Sequence, residues 1–275
     1  MFPIWFLIIL VLRLNYGLQS ASLDEGSYLT VSSLLLKGRK LYVDIPAAKP
    51  PLFYILNSII AFFAGGDLII ARIMCAMITA IISCIITEIV FMLYKNKSYL
   101  LSGLFFSIVA GLPSFENYFV LTETYVVLIE CLVIFTIIKS IISKMHKNLY
   151  FISSGFLIAF SLAIRQTAII FFIWMLFLLG LLKRKKYVKS QNLLHVFLGF
   201  ILSSILILTY IFLFSNIQKA IYWNIFEPLE YITSTANARS ILRLSWFSII
   251  FQTILPLLLI SALVLDIDFK VYKKS

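Results

Sequence analysis

Long apolar runs separated by short polar segments extend along the whole chain. Most runs are rich in Ile, Leu and Phe on every side, which is typical of helices surrounded by lipid or by other helices. Because a transmembrane helix needs about 20 apolar residues, the pattern predicts an all-α polytopic membrane protein with about eight or nine transmembrane helices. The apolar runs cover residues 2–18, 51–64, 68–94, 98–113, 118–138, 149–164, 167–182, 192–215 and 244–265.

The run 51–64 decides the number of spans. It is too short for an untilted span of about 20 residues, so we expect it to be re-entrant or to lie along the interface. If this run does cross the membrane, a neighbouring loop lies on the opposite side and the chain has nine spans.

Composition strengthens the membrane prediction. Hydrophobic residues make up 62% of the 275 residues and charged residues 13%, against about 45–50% and about 25% in soluble domains. The mean hydropathy is +1.03, which excludes a soluble globular protein, a disordered chain and a coiled coil. We expect a single membrane domain over residues 1–275 with no separate soluble domain. We also expect a retained first helix, because Arg13 interrupts its apolar run and a basic n-region is lacking.

Bunches of basic residues indicate the orientation. The bunches within 95–97, 139–147, 183–189 and 270–274 belong in the cytoplasm by the positive-inside rule. This places the N-terminus of a multi-pass cell-membrane protein in the cytoplasm. The net charge of +11 therefore indicates orientation and contact with membrane lipids, with no nucleic acid as partner. Segments 19–50, 114–117, 165–166 and 216–243 then lie outside, together with most of the acidic residues.

Cysteine and histidine form no catalytic or metal-binding motif. The three cysteines lie singly inside apolar runs, which indicates neither a disulfide framework nor a zinc site. His146 and His195 stand alone beside basic turns, so triads and His-based metal sites are excluded. The Gly-rich loops that bind nucleotide phosphates are also lacking from the sequence.

The first outer loop, residues 19–50, carries the most informative polar pattern. Ser22 and Glu25 form a capping box and Gly38 suits a helix C-terminus, so we expect a short amphipathic helix over 24–37 at the membrane surface. Asp24 and Glu25 fall in its first turn, where acidic residues also simply favour the helix dipole.

Lys49 follows in the same loop, directly before two prolines at the mouth of run 51–64. The prolines fix the chain as it enters the membrane and hold Lys49 at headgroup depth. There the lysine either snorkels to the surface or provides a cation for a phosphate.

Five pieces of the chain, in this order, resemble the GT-C membrane glycosyltransferases. The similarity covers about residues 5–182 and resembles most the branch with the dolichyl-phosphate-mannose protein mannosyltransferases and the lipid A aminoarabinose transferase. The pieces are DEGSYL, LLLKGRKLYVD, KPPLFYIL, Ala71-Arg72-Ile73 at the start of a long apolar helix, and Leu121-Thr122-Glu123 after the next span.

The resemblance implies a GT-C-like fold and transfer of a sugar from a polyprenyl-phosphate-linked donor to an acceptor on the extracytoplasmic face. In that family an acidic residue of the first outer loop is the catalytic acid or base, which corresponds to Asp24 with Glu25 beside it. The lysine before the prolines contacts the donor phosphate, which corresponds to Lys49. A second outer acidic residue corresponds to Glu123.

One position departs from the family pattern. Many relatives have an acid or amide directly before the lysine, where this chain has Ala48. Asp44 is then the nearer carboxylate, and we expect Tyr42 and Asp44 to contact substrate.

The predicted chemistry needs a base and fixed cations. Nucleotide sugars are confined to the cytoplasm, so an outer transferase needs a lipid-linked donor whose leaving phosphate is stabilised by cations. Lys49 and Arg165 are the candidates, although Arg165 is also explained as a headgroup anchor. Asp24 is the candidate base for an inverting displacement. Glu123 or Glu25 then orients the acceptor or binds a divalent cation, with Mg²⁺ or Mn²⁺ left open as a cofactor.

The second outer loop, residues 216–243, is rich in aromatic residues. Such residues form interface belts in many membrane proteins, whereas in GT-C proteins a late outer loop often caps the active site. On the second interpretation Trp223, Tyr231 and Arg239 bind substrate.

Two other functions stay open from the sequence. One is a transporter or flippase of lipid-linked sugars built around the intramembrane charges Glu88, Glu130 and Arg13. The other is a shortened GT-C relative that is inactive or depends on a partner subunit, because relatives are usually longer. The acceptor, whether protein, lipid or glycan, is not specified by the sequence.

Overall fold

The structure is a computed structural model that describes residues 1–95, 99–112, 119–143 and 145–234. Within these ranges the regular secondary structure is helical, with an isolated bridge between Leu41 and Ile45. The helices are α1 (Phe2–Gly17), α2 (Leu23–Leu36), α3 (Pro51–Ala64), α4 (Leu68–Tyr94), α5 (Tyr99–Gly111), α6 (Thr122–Ile142), α7 (Lys147–Ile164), α8 (Ile169–Arg184), α9 (Ser190–Phe214), α10 (Ile217–Ile221) and α11 (Glu227–Ser234). A 3₁₀ turn (Gln166–Ala168) precedes α8, and a π-helical turn (Tyr222–Phe226) joins α10 to α11.

Five helical stretches are long and apolar enough to cross a membrane. They are α4, α6, α7, α9 and the stretch Gln166–Arg184. Three shorter apolar helices, Phe2–Leu14, Pro51–Ala64 and Tyr99–Gly111, accompany them. These helices confirm the prediction of an α-helical membrane protein and indicate an integral membrane protein. The apolar run 244–265 lies outside the described residues.

The helices pack around α4 and α7. Helix α4 contacts α1, α5 and α6, and α7 lies between α6 and α9. The backbones of α7 and α9 approach closely at two glycines. A Cβ atom on Gly155 would lie 1.8 Å from the Val196 carbonyl oxygen, and one on Gly199 would lie 1.9 Å from that of Ile152. Small residues at such a crossing let transmembrane helices approach closely.

Helix α2 begins and ends with local hydrogen bonds that its sequence encodes. The Ser22 hydroxyl accepts the Glu25 backbone N–H at 3.1 Å. At the other end Gly38 adopts a φ of +79°, and the N–H groups of Gly38 and Arg39 donate to the carbonyls of Leu35 and Leu34 at 2.9 and 3.1 Å. This is a Schellman motif, in which glycine tolerates the left-handed conformation.

Helices α2, α3 and α6 share an aromatic core. Tyr28, Phe53 and Tyr125 are buried and stack edge to face. Asn57 is fully buried among them, where its amide donates to Ser32 Oγ at 2.9 Å and accepts from the Tyr125 hydroxyl at 2.9 Å. Because a buried amide is costly unless it is hydrogen-bonded, this contact fixes the three helices against one another beneath the first loop.

Candidate functional site

A buried ion pair joins the first loop to α4. Glu25 is fully buried and Arg72 is 5% exposed. Arg72 Nε donates to Glu25 Oε1 at 3.1 Å and Nη2 donates to Oε2 at 2.6 Å. Oε1 also accepts the Val120 backbone N–H at 3.0 Å. Both carboxylate oxygens of Glu25 are therefore hydrogen-bonded within the protein, to Arg72 and to the backbone before α6.

The other donors of Arg72 hold the backbone that precedes α2. Nη1 donates to the Gln19 carbonyl at 2.7 Å and Nη2 to that of Ser20 at 3.3 Å. The guanidinium also lies 5.1 Å from the ring centroid of Phe119. The start of α4 thus fixes both the first loop and the chain that leads into α6.

Asp24 is the exposed neighbour of this buried pair. Its Oδ2 accepts the Tyr28 hydroxyl at 3.3 Å. Burial, and then the charge of Asp24, raise the pKa of Tyr28, so this hydroxyl stays protonated as a donor. The Asp24 carboxylate is therefore oriented from one side and open to solvent on the other, as a general base requires.

Lys49 lies beside the same tyrosine, with its Nζ 5.9 Å from the Tyr28 ring centroid. Burial, and then the neighbouring charge of Arg165, lower the pKa of Lys49. The negative charges of Asp24, Glu123 and Glu227 act in the opposite direction. These electrostatic neighbours come from four separate parts of the chain, so the fold brings the predicted residues into one charged cluster.

Glu123 and Arg165 form an ion pair within this cluster. Glu123 opens α6, where the Thr122 hydroxyl donates to its Oε2 at 2.9 Å. Arg165 stands at the junction of α7 with the 3₁₀ turn. The Glu123 side chain is 44% exposed and the Arg165 side chain is 30% exposed, so both remain accessible to a ligand.

The predicted substrate residues Tyr42 and Asp44 are engaged within their own loop. Tyr42 is 2% exposed, and its hydroxyl donates to the Lys49 carbonyl at 2.7 Å. It adopts a φ of +64°, an uncommon conformation for a bulky side chain. Asp44 Oδ2 accepts the Lys40 N–H at 2.8 Å. Within the structure both residues shape the loop that carries Lys49.

The late loop returns to the same region. The Gln166 amide donates to Asn224 Oδ1 at 3.2 Å and to the Ala48 carbonyl at 3.3 Å. Trp223 packs at the edge of the aromatic core. The π-helical turn that holds Trp223 and Asn224 is a rare conformation that is frequent at functional sites. The predicted substrate contacts of the Tyr231 side chain and of Arg239 lie outside the described residues.

An apolar cavity of about 120 Å³ adjoins the charged cluster. Glu123 and Thr124 line one part of it, and the remainder is formed by α4, α5 and α6. Its other lining residues are Thr79, Ile82, Phe106, Val109, Ala110 and Val127. A charged cluster thus borders directly on apolar space between membrane helices.

The described residues offer no strong cation site. Within them, no group of three or more His, Cys, Asp or Glu side chains is arranged to hold a metal ion. Mg²⁺ requires nearly octahedral oxygen coordination. The described acidic groups do not form such a set, so they do not fit a Mg²⁺ or Mn²⁺ ion.

Arg72, Asn224 and Gln166 belong to the site but are not among the candidate site residues from the sequence. Arg72 pairs with Glu25, which lies 47 positions earlier, so local spacing does not indicate this ion pair. Asn224 has no distinguishing pattern in an aromatic segment. The sequence does point to Gln166 as a site residue, because Gln166 follows Arg165 in the same short polar turn between two apolar runs.

Comparison with known protein families, curated proteins and solved structures finds no match to this chain.

Proposed function

We propose that this protein is a membrane glycosyltransferase that moves a sugar from a polyprenyl-phosphate-linked donor to an acceptor, with inversion of configuration. The observation that carries the proposal is the grouping of Asp24, Lys49, Glu123 and Arg165 into one partly exposed cluster. A carboxylate with a free face and two cations is the set of groups that such a transfer needs.

In the proposed reaction Asp24 accepts the proton of the acceptor hydroxyl. The acceptor oxygen forms a bond to the anomeric carbon while the bond from that carbon to the phosphate oxygen breaks. The electron pair of the broken bond goes to the phosphate, whose growing negative charge lies near Lys49 and Arg165. Glu123 holds the Arg165 guanidinium in place, so that the cation is oriented before the donor binds.

The apolar cavity beside Glu123 supports a donor with a lipid chain. A water-soluble nucleotide sugar gains nothing from apolar walls, whereas an isoprenoid chain buries its surface there. The proposed donor therefore matches both halves of the site, the charged cluster and the membrane-embedded space.

The proposed topology places this site outside the cell membrane. The N-terminus is cytoplasmic, eight or nine spans follow from about 20 apolar residues per span, and α2 lies at the outer membrane surface. The positive-inside rule supports this orientation, because the basic bunches 139–147 and 183–189 lie at the opposite ends of α6 and α8 from Glu123 and Arg165.

The experiment compares glycolipids and glycans, by mass spectrometry, from cells that contain the wild-type chain or Asp24→Asn. The expected result is a glycosylated product that requires the chain and is lost in Asp24→Asn at equal protein level. Asp67→Asn is the matched control. Asp67 is exposed, caps α4 through its Oδ1, and can be replaced by asparagine, which caps helices equally well.

Unchanged product in Asp24→Asn would refute the role of Asp24. A lipid-linked sugar that changes sides of the membrane without any new glycosylated product would instead indicate the transporter. In that case Glu130→Gln should stop the movement while Asp24→Asn leaves it intact. Binding of a donor lipid without turnover by the purified chain would indicate a partner-dependent relative.

A further inference from the structure

Arg13 is a buried cation that the proposed reaction does not use. It lies in the apolar helix α1 and is 5% exposed. Its Nη2 donates to Thr79 Oγ1 at 3.2 Å and to the Ala110 carbonyl at 2.9 Å. Its Nε and Nη1 are buried and have no hydrogen-bond partner among the described residues. Because unsatisfied buried donors are costly, these two nitrogens point to a missing acceptor.

The charge of Arg13 is also uncompensated in the described part of the chain. The ion pairs there join Arg72 to Glu25 and Arg165 to Glu123. Arg72, which also lines the groove beside Arg13, is paired with Glu25, and both oxygens of that carboxylate are already bound. An unpaired guanidinium within a membrane helix is expensive, so the missing acceptor should be an anion.

A groove between α1 and α4 leads to Arg13. It has a volume of about 120 Å³, and apart from Arg13 and Arg72 its lining is apolar: Leu10, Leu14, Leu18, Ile69, Ile73 and Ala76. Leu14, Leu18, Ile69 and Ile73 are exposed, so the groove opens sideways, toward the lipid. A free phosphate would lose its hydration against these walls without compensation. An anion that carries a hydrocarbon chain suits both the cation and the walls.

We propose that this groove binds an anionic glycerophospholipid, with its phosphate at Arg13 Nε and Nη1 and an acyl chain along α1 and α4. Arg13 stands four positions before the end of α1 at Gly17, or about 6 Å along the axis. This depth is within reach of a lipid phosphate at the end of the helix. Guanidinium forms strong charge-assisted hydrogen bonds with phosphate oxygens.

The location favours a bilayer lipid over the sugar donor. Helix α1 packs on α4 and α5, whereas Lys49 and Arg165 stand at the entrance to α3 and at the α7–α8 junction. The groove therefore opens on the α1 side of α4, away from Lys49 and Arg165, as a second lipid site. It borders the proposed transfer site through Arg72 and through the Arg13 partners Thr79 and Ala110.

The experiment measures lipid retention by the purified full chain with native mass spectrometry, and thermal unfolding in detergent with added lipid. The probes are phosphatidylglycerol, phosphatidylcholine and undecaprenyl phosphate. We expect the wild type to retain phosphatidylglycerol about tenfold more than phosphatidylcholine, and phosphatidylglycerol to raise its Tm. Arg13→Gln should lose both effects.

A pair of tryptophan variants tests the groove with Arg13 intact. Ile73→Trp fills the groove and should lose the preference for phosphatidylglycerol. Ile70→Trp places the same side chain on an exposed position of α4 outside the groove lining and should keep the preference. If Arg13→Gln fails to fold, the comparison of Ile73→Trp with Ile70→Trp still tests whether the groove binds the lipid.

Three outcomes would overturn the proposal. Equal retention of the two phospholipids by the wild type would show that no anion is selected. Unchanged preference in Ile73→Trp would place the lipid elsewhere. Displacement of phosphatidylglycerol by an equal amount of undecaprenyl phosphate would assign the groove to an isoprenoid lipid instead.

Discussion

Removing either partner of the Glu25–Arg72 ion pair should strongly destabilise the protein. Glu25→Gln and Arg72→Gln should differ in how much stability they lose. Glu25→Gln keeps the side-chain shape and an oxygen that accepts the Val120 N–H. It leaves the Arg72 charge with the carbonyls of Gln19 and Ser20. Arg72→Gln instead leaves a fully buried carboxylate that has lost both guanidinium hydrogen bonds. The second change should therefore cost more.

The expected magnitudes follow from the burial of both groups. Removing one partner of a buried ion pair costs about 3–5 kcal/mol. Glu25→Gln should lie near the lower value, since Arg72 keeps two carbonyl acceptors and the Phe119 ring, and Arg72→Gln near the upper one. The double variant removes both charges together, so its cost should fall below the sum of the single costs by about 2 kcal/mol or more.

The assay is reversible unfolding in mixed micelles, followed by helical circular dichroism, for the wild type, both single variants and the double variant. Asp67→Asn serves as a control for losing an exposed carboxylate. Losses below about 1 kcal/mol for both single variants, the range of exposed ion pairs, would refute the reasoning. Additive costs in the double variant would show that the two side chains act separately.

Four further predictions concern packing, charge and capping, two of them at Lys49. Gly155→Ala should force α7 away from α9 and lower the Tm, because its Cβ would meet the Val196 carbonyl, whereas Gly180→Ala, with open space around its Cβ, should leave the Tm unchanged or raised. Since the pKa of Lys49 is lowered from 10.5, donor binding in a filter assay should weaken with rising pH before an ordinary lysine deprotonates, and Lys49→Arg should retain binding there. The pKa of Lys49 lies below 10.5 in the folded state and at 10.5 in the unfolded state. Between these two pH values the unfolded state binds more protons at Lys49, so the free energy of unfolding should rise with pH. Ser22→Ala should cost about 1 kcal/mol in chemical unfolding through loss of the cap of α2, and an unchanged midpoint would contradict this.

Local features were predictable from the sequence because their causes are local. The cap at Ser22 and the left-handed turn at Gly38 depend on a few neighbouring residues, so α2 begins and ends within one residue of the predicted range 24–37. The apolar runs likewise predicted the helices that can cross a membrane. Lys49, directly before two prolines, and Arg165, in a short polar turn between two apolar runs, were candidate cations for the same local reason.

The contacts that hold the site together were not predictable, because they join distant parts of the chain. Glu25 and Asp24 are adjacent acids with the same pattern around them, yet one is fully buried and the other exposed. Only the arrival of Arg72 from α4 and Val120 from the segment before α6 distinguishes them. Tyr42 presents a similar case, since its burial and its hydrogen bond to the Lys49 carbonyl depend on the folded loop.

The ion pair of Glu25 with Arg72 also imposes an order on biosynthesis. Glu25 is made 47 residues before Arg72 and 95 residues before Val120, so its carboxylate has neither partner while the first helix is inserted. The loop that presents Asp24 therefore reaches its final shape only after α4 is in the membrane and the chain has continued to α6. A nascent chain that stops earlier holds the candidate base without the backbone that orients it, so assembly of the helices and maturation of the site are one event.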